Sequence, residues 1–169
     1  MLIKVAIIGY GYMGVIRRRV VEMYRELELS MICETDPEKL VGEKSFTVVQ
    51  DPKEVLESDT QAVFVCTPNH LIPDLTVQCL ERGKHVFCEK PPGRTLKDIE
   101  RMQEAERKNP MTKLMFGFNH RYHPGVMRSK SIVDSGRLGK IVCLRGLYGK
   151  SGGKNFAHSW RNDFLVSGG

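Results

Sequence analysis

The sequence lacks several things, and each absence narrows the reading. It has no apolar stretch long enough to cross a bilayer, which takes about 20 residues; the opening run, Leu2 to Ile8, is short and is broken by Lys4. That run leads straight into a glycine turn, so neither a signal peptide nor a membrane partner is expected, and the default location is cytoplasmic. The five cysteines, Cys33, Cys66, Cys79, Cys88 and Cys143, form no C-x-x-C pair and no Cys/His set at zinc spacing. No metal site is therefore expected. Four of the five fall in stretches that read as strands, and buried free thiols in a reducing compartment are the expectation. There is no internal repeat and no low-complexity segment.

Negative charge is the minority sign. The 169 residues carry a net charge of +6, which admits an anionic ligand or a nucleic-acid surface. The densest basic run is Arg17-Arg18-Arg19. Three consecutive helical residues fan over most of a helix circumference rather than forming one stripe. They read as a solvated face, and nucleic-acid binding is not expected.

What is present is an alternation of strand and helix patterns. An apolar run ends at Gly9-Tyr10-Gly11-Tyr12-Met13-Gly14, a helix-like stretch follows to about Glu28, and a second apolar run, Leu29 to Cys33, ends at Glu34. The acid follows Gly14 by 34 − 14 = 20 positions, the spacing of a dinucleotide-binding crossover unit. Gly9 suits a tight turn, Gly11 leaves room for a pyrophosphate, and Gly14 permits close helix packing. The helix N-terminus offers N–H groups to phosphates. Glu34 suits ribose hydroxyls and repels a 2′-phosphate, which favours NAD over NADP; Asp36 is its rival but reads as a helix cap.

Further on, Asp36-Pro37 and Asp51-Pro52 read as capped helix starts, with Phe46–Val49 a short strand. Gln61–Cys66 reads as a strand ending at Thr67-Pro68-Asn69-His70, Leu71–Arg82 as a helix closed by Gly83, and His85–Cys88 as a strand leading into Glu89-Lys90-Pro91-Pro92. Thr95 and Asp98 open a helix to Lys108 as a capping box. Lys113–Gly117 and Lys140–Tyr148 look like strands, and Pro124–Ser135 like a helix; residues 149–169 show no period. This rhythm predicts an α/β fold of Rossmann type, a doubly wound parallel sheet with ligands beyond the carboxyl ends of its strands. Double proline stops the strand at Lys90, which leaves a lysine where a substrate hydroxyl would sit; burial or a nearby cation would tune it for proton transfer. Asn119 and Arg121, in Phe118-Asn119-His120-Arg121-Tyr122-His123-Pro124, and the pair Trp160-Arg161 are candidate substrate contacts.

Taken together, Gly9–Gly14, Ala62–Asn69, Gly83–Pro91 and Asn119–Pro124 resemble the glucose-fructose oxidoreductase / inositol dehydrogenase / rhizopine catabolism (Gfo/Idh/MocA) oxidoreductases. The resemblance implies an NAD(P)-binding Rossmann domain at residues 1–122, and at 123–169 the incomplete start of a C-terminal α/β domain for substrate and oligomerisation. It implies hydride transfer between nicotinamide and a secondary alcohol of a sugar, cyclitol or nucleotide sugar, by proteins that are homodimers or homotetramers. Gly9, Gly11 and Gly14 match the pyrophosphate loop, which brings Tyr10, Tyr12 and Met13 against the cofactor. Glu34 matches the ribose acid, and Thr67, Pro68 and Asn69 the cofactor-contacting loop. Glu89 matches an acid near the nicotinamide ribose. Lys90 matches the catalytic lysine, next to the cofactor, with a bond into Pro91 that is often cis. Asn119 and Arg121 match positions near the substrate.

Two departures stand out. Ile72 occupies a place where many relatives carry histidine, with His70 two places earlier, and the family's D-x-G-x-H segment is not among these residues. The expectation is therefore an N-terminal fragment that is inactive alone. The alternative is a non-catalytic dinucleotide-binding or regulatory module.

Overall fold

A computed structural model describes residues 2–149 and 155–168. They fall into two compact units: one runs through Gly117 and takes in the stretch from Trp160, and the other is Phe118–Ser159.

The first unit is a six-stranded parallel sheet, with β1 (Ile3–Ile8), β2 (Leu27–Cys33), β3 (Thr47–Val49), β4 (Ala62–Val65), β5 (His85–Cys88) and β6 (Leu114–Phe116) in the order β3-β2-β1-β4-β5-β6. Every pairing is parallel. The helices are α1 (Tyr12–Met23), α2 (Pro52–Glu57), α3 (Ile72–Glu81), α4 (Leu96–Lys108) and a short α6 (Phe164–Ser167); α5 (Pro124–Asp134) belongs to the second unit. Chain order reverses between β1 and β4, the switch point where α/β sheets open a crevice.

β1 is buried on both faces because it lies at the centre, and its side chains alternate between two cores. Ala6 and Ile8 join Val63, Val65, Ile72, Leu80 and Val86 under α2 to α4. Ile7 joins Ile32 and Tyr10, with Val15 of α1 packed against them. Each such fully buried aliphatic side chain contributes about 1.5–3 kcal/mol.

The caps form as the sequence suggests. The Asp36 carboxylate accepts from the Glu38 N–H and so opens a 3-10 turn at Pro37–Leu40, while Asp51 accepts from Lys53 N–H to open α2. Thr95 and Asp98 make a reciprocal capping box at α4. Gly83 takes φ +73° after α3.

Two expectations are corrected. Helix α1 stops at Met23 rather than near Glu28, because Leu27 and Glu28 are already paired with Ile3 and Lys4. The register then slips past Ser30, whose hydroxyl donates to Val5 O. Lys140–Tyr148 forms no strand. A strand needs partners for its N–H and C=O groups, and in this unit none is present among the described residues; Val142 and Leu147 lie exposed. The stretch from Trp160 groups with the sheet in the first unit. It is tied there by Asn69 Nδ2, which donates to Ser167 O at 2.7 Å, and by the Arg94 guanidinium, which donates to Leu165 O.

In the second unit a 3-10 turn, Asn119–Tyr122, precedes α5 (Pro124–Asp134). His123 caps α5, its Nδ1 accepting from Gly125 N–H. The side chain of Tyr148 meets His120 edge-on. Of the last residues that lack a period, Gly169 and 150–154 lie outside the described residues.

Candidate dinucleotide site at the carboxyl rim of the sheet

The turn after β1 is built so that side chains do not fit where glycines stand. Gly9 has φ +92°, and a Cβ there would lie 2.9 Å from the backbone of Cys66. A Cβ on Gly14 would lie 2.2 Å from Gly9 O, so α1 starts against the end of β1 only because that position is glycine. Gly11 differs: a Cβ there would meet nothing within 4 Å. Its surroundings are open, as the approach of a ligand backbone requires. Gly11 is also the N-cap of α1 and supplies no side-chain cap to the first-turn N–H groups.

Glu34, at the end of β2, turns its carboxylate back toward this loop. Its Oε2 accepts from Tyr10 N–H at 2.7 Å; its Oε1 accepts from Asp36 N–H and the Thr35 hydroxyl and faces Lys39 Nζ at 3.1 Å. Burial pushes the carboxyl up, but the N–H donors of Asp36 and Tyr10 and the Lys39 ammonium outweigh it and hold Glu34 below the usual carboxylate range. Asp36, the rival for the ribose role, is occupied as a cap. Around the loop, Tyr10 is buried with its hydroxyl against Arg18, Met13 is half-buried, and Tyr12 is exposed.

Beyond β4, Thr67 Oγ1 and His70 Nδ1 are buried polar atoms without a hydrogen-bond partner among the described residues. Such atoms usually have partners, and Thr67 stands on the rim beside the Gly9 turn. Pro68 next to it is half-buried, its carbonyl accepting from Leu71 N–H. Asn69 is buried, and its amide donates to Ser167 O.

Beyond β5, Glu89 is buried and paired with Arg17, whose Nε and Nη2 both donate to Oε1, at 2.8 and 2.5 Å. The Arg17 guanidinium lies 4.5 Å over the Phe87 ring. Lys90 is exposed rather than buried, and pairs with no carboxylate among the described residues; its bond to Pro91 is cis. The basic run is thus not a solvated face. Arg17 reaches Glu89, Arg18 reaches Glu22, Glu43 and Tyr10 and lies over Phe46, and only Arg19 is exposed.

Of the substrate candidates, Asn119 and Arg121 are exposed in the second unit. Trp160 and Arg161 lie in the first, Arg161 stacked on the indole at 4.6 Å. Arg17 belongs to a run expected to be solvated, yet it stands three residues past Gly14 and so on the helix face that Gly14 packs against the sheet.

A cleft of about 490 Å³ lies at the opposite rim, between Lys4, Glu28 and Thr47 at the amino ends of β1, β2 and β3. Ligands of open parallel sheets lie at carboxyl ends, and it is at the carboxyl rim that the glycine turn, the pinned Glu34 and the unpartnered Thr67 hydroxyl come together. Burial holds four of the five thiols above their usual range, pushing Cys33 up to about 11 and Cys66, Cys79 and Cys88 up to about 12. No cluster of potential metal ligands occurs among the described residues, and no helix among them is long and apolar enough to cross a membrane.

Comparison with known proteins agrees with the fold. The family model for Gfo/Idh/MocA, an oxidoreductase family with an NAD-binding Rossmann fold, matches residues 3–118. Myo-inositol 2-dehydrogenase of Thermotoga maritima is 33% identical over 150 residues, covering 84% of this chain and 44% of that protein. Levoglucosan dehydrogenase of Pseudarthrobacter phenanthrenivorans is 32% identical over 124 residues, 72% of this chain and 30% of that one. The crystal structure of scyllo-inositol dehydrogenase from Lactobacillus casei with bound NAD(H) and scyllo-inositol superimposes with a TM-score of 0.76 at 26% identity, over 82% of this chain and 43% of that chain. The chain therefore spans less than half the length of these relatives. That family match covers more than half of the chain, so the chain belongs to the Gfo/Idh/MocA oxidoreductases and carries their NAD-binding Rossmann fold.

Proposed function

We propose that this chain holds NAD for the oxidation or reduction of a secondary alcohol on a sugar, cyclitol or nucleotide sugar. The observation that carries the reading is the Glu34 carboxylate, held 2.7 Å from the Tyr10 N–H at the mouth of the glycine turn. There it can exchange part of its hydrogen bonding for two ribose hydroxyls, and it would repel a 2′-phosphate. Gly11 and the uncapped first turn of α1 would face the pyrophosphate, with Tyr12 and Met13 flanking it. Thr67 and Pro68, after β4, and Glu89, after β5, would line the nicotinamide half. Bound NAD would supply the hydride acceptor. Lys90, exposed at the same rim, would hydrogen-bond the alcohol oxygen and help move its proton.

That relatives include inositol and levoglucosan dehydrogenases supports a polyhydroxylated substrate. Asn119, Arg121, Trp160 and Arg161 are the candidate contacts for its hydroxyls. The family resemblance adds an Asp/His segment that these residues do not contain, so NADH binding without turnover is the expectation for the 169-residue chain. A 123–169 segment that belongs to a substrate and oligomerisation domain, and a homodimeric or homotetrameric parent, remain part of this proposal.

The test is a calorimetric or fluorescence titration of folded protein with NADH and with NADPH. NADH should bind, and NADPH more weakly. A folded chain that binds neither counts against the reading, and a preference for NADPH removes the role given to Glu34.

A further inference from the structure

Glu89 is the one buried acid on the nicotinamide side of the rim whose two oxygens are treated differently. Both Arg17 donors go to Oε1. Oε2 accepts no hydrogen bond among the described residues, and it occupies space that exists because residue 117 is glycine: a Cβ on Gly117 would lie 2.9 Å from it. A carboxylate has about four acceptor positions, so one whole oxygen is left for another donor. Arg17 is itself constrained. It projects from α1 and lies over Phe87, which is in contact with Phe64 of β4. Its planar fork therefore arrives in a fixed orientation, which a lysine would not reproduce.

A dinucleotide anchored by Glu34 after β2 and by the turn after β1 crosses the switch point toward β4 and β5. Its second ribose would then lie on the side where Glu89 stands, and its hydroxyls are donors. We infer that Arg17 is a positioning residue for the nicotinamide half of the cofactor: it fixes the Glu89 carboxylate through Oε1 so that Oε2 is held ready for a ribose hydroxyl. This rests on the dinucleotide reading above, and assigns a task to a side chain that the glycine turn itself does not need.

The experiment compares NADH, which reaches across the crevice, with ADP, which fills only the adenosine and phosphate side. Affinities are measured for wild type, Arg17→Met, Arg17→Lys, Glu89→Gln and the Arg17→Met/Glu89→Gln double variant, each after a thermal melt confirms folding. We expect Arg17→Met to weaken NADH about tenfold, the scale of losing hydrogen bonds to a charged group, with ADP unchanged. Arg17→Lys should recover part of the loss. The double variant should be no weaker than the worse single one, because the two residues act as a unit. Equal losses for NADH and ADP, or no loss for NADH, would overturn the inference while leaving the dinucleotide reading in place. If Arg17→Met does not fold, Arg17→Lys and Glu89→Gln carry the same comparison. Failure of wild type to bind either nucleotide would overturn both.

Discussion

The Tyr10 backbone N–H and the Glu34 carboxylate meet at 2.7 Å, so the turn after β1 is fastened to the end of β2 by an ionised side chain. Since Glu34 titrates below the ordinary carboxylate range in the folded protein, the unfolded chain takes up its proton first as acid is added. Its contribution is complete above the unfolded carboxyl pKa and disappears as pH falls through the folded one. Glu34→Gln should lower stability at neutral pH and flatten the acid limb, which urea denaturation at a series of pH values will read.

Gly11 and Gly14 make opposite predictions. Gly14→Ala drives a Cβ into Gly9 O, a backbone atom that cannot step aside. It should cost about 1–3 kcal/mol or prevent folding. Gly11→Ala meets open space and should melt like wild type, yet lose NADH affinity by filling the approach to the loop. A melt and a titration on each variant separate the two.

Lys84 is buried in the opposite rim, with Nζ donating to Ser58 O at 2.8 Å and Thr60 O at 2.9 Å and lying 3.4 Å from the Thr60 hydroxyl. Burial pushes its pKa down, but three oxygens answer the three N–H bonds that only the ammonium has. Lys84→Met should strip partners from two carbonyls and cost about 1–3 kcal/mol in urea denaturation, with NADH affinity unaltered.

Cys143 is exposed, whereas Cys33, Cys79 and Cys88 are buried and Cys66 is half-buried. Four thiols are held well above their usual pKa by burial, and the reactive species is the thiolate. An aromatic disulfide reagent should label Cys143 rapidly in native protein and the other four only after denaturation. Native labelling of Cys66 at a similar rate would contradict the packing around β4.

The local parts of this structure are legible in the sequence because their causes are local. Asp36, Asp51 and Thr95 cap the helices they precede, and Gly9 and Gly14 stand where backbone approaches backbone. What could not be read depends on residues far along the chain. Arg17 finds Glu89 72 positions later and Asn69 finds Ser167 98 positions later. A run of three arginines looks solvated until β5 supplies a buried acid, and nothing near Asn69 in the sequence points to the Ser167 carbonyl that its amide holds. Lys140–Tyr148 has the composition of a strand, but extended backbone becomes a strand only beside another one.

The strand order has a consequence for how this protein is made. Gly9, Glu34, Thr67 and Glu89 close four separate strands, and β1 and β4 are neighbours only after the chain between them has looped out and back. A nascent chain that has emerged only as far as β2 carries the glycine loop with one wall absent. Nucleotide recognition should therefore wait until β4 and β5 have emerged, which would make retention on an immobilised nucleotide a gauge of completed long-range closure.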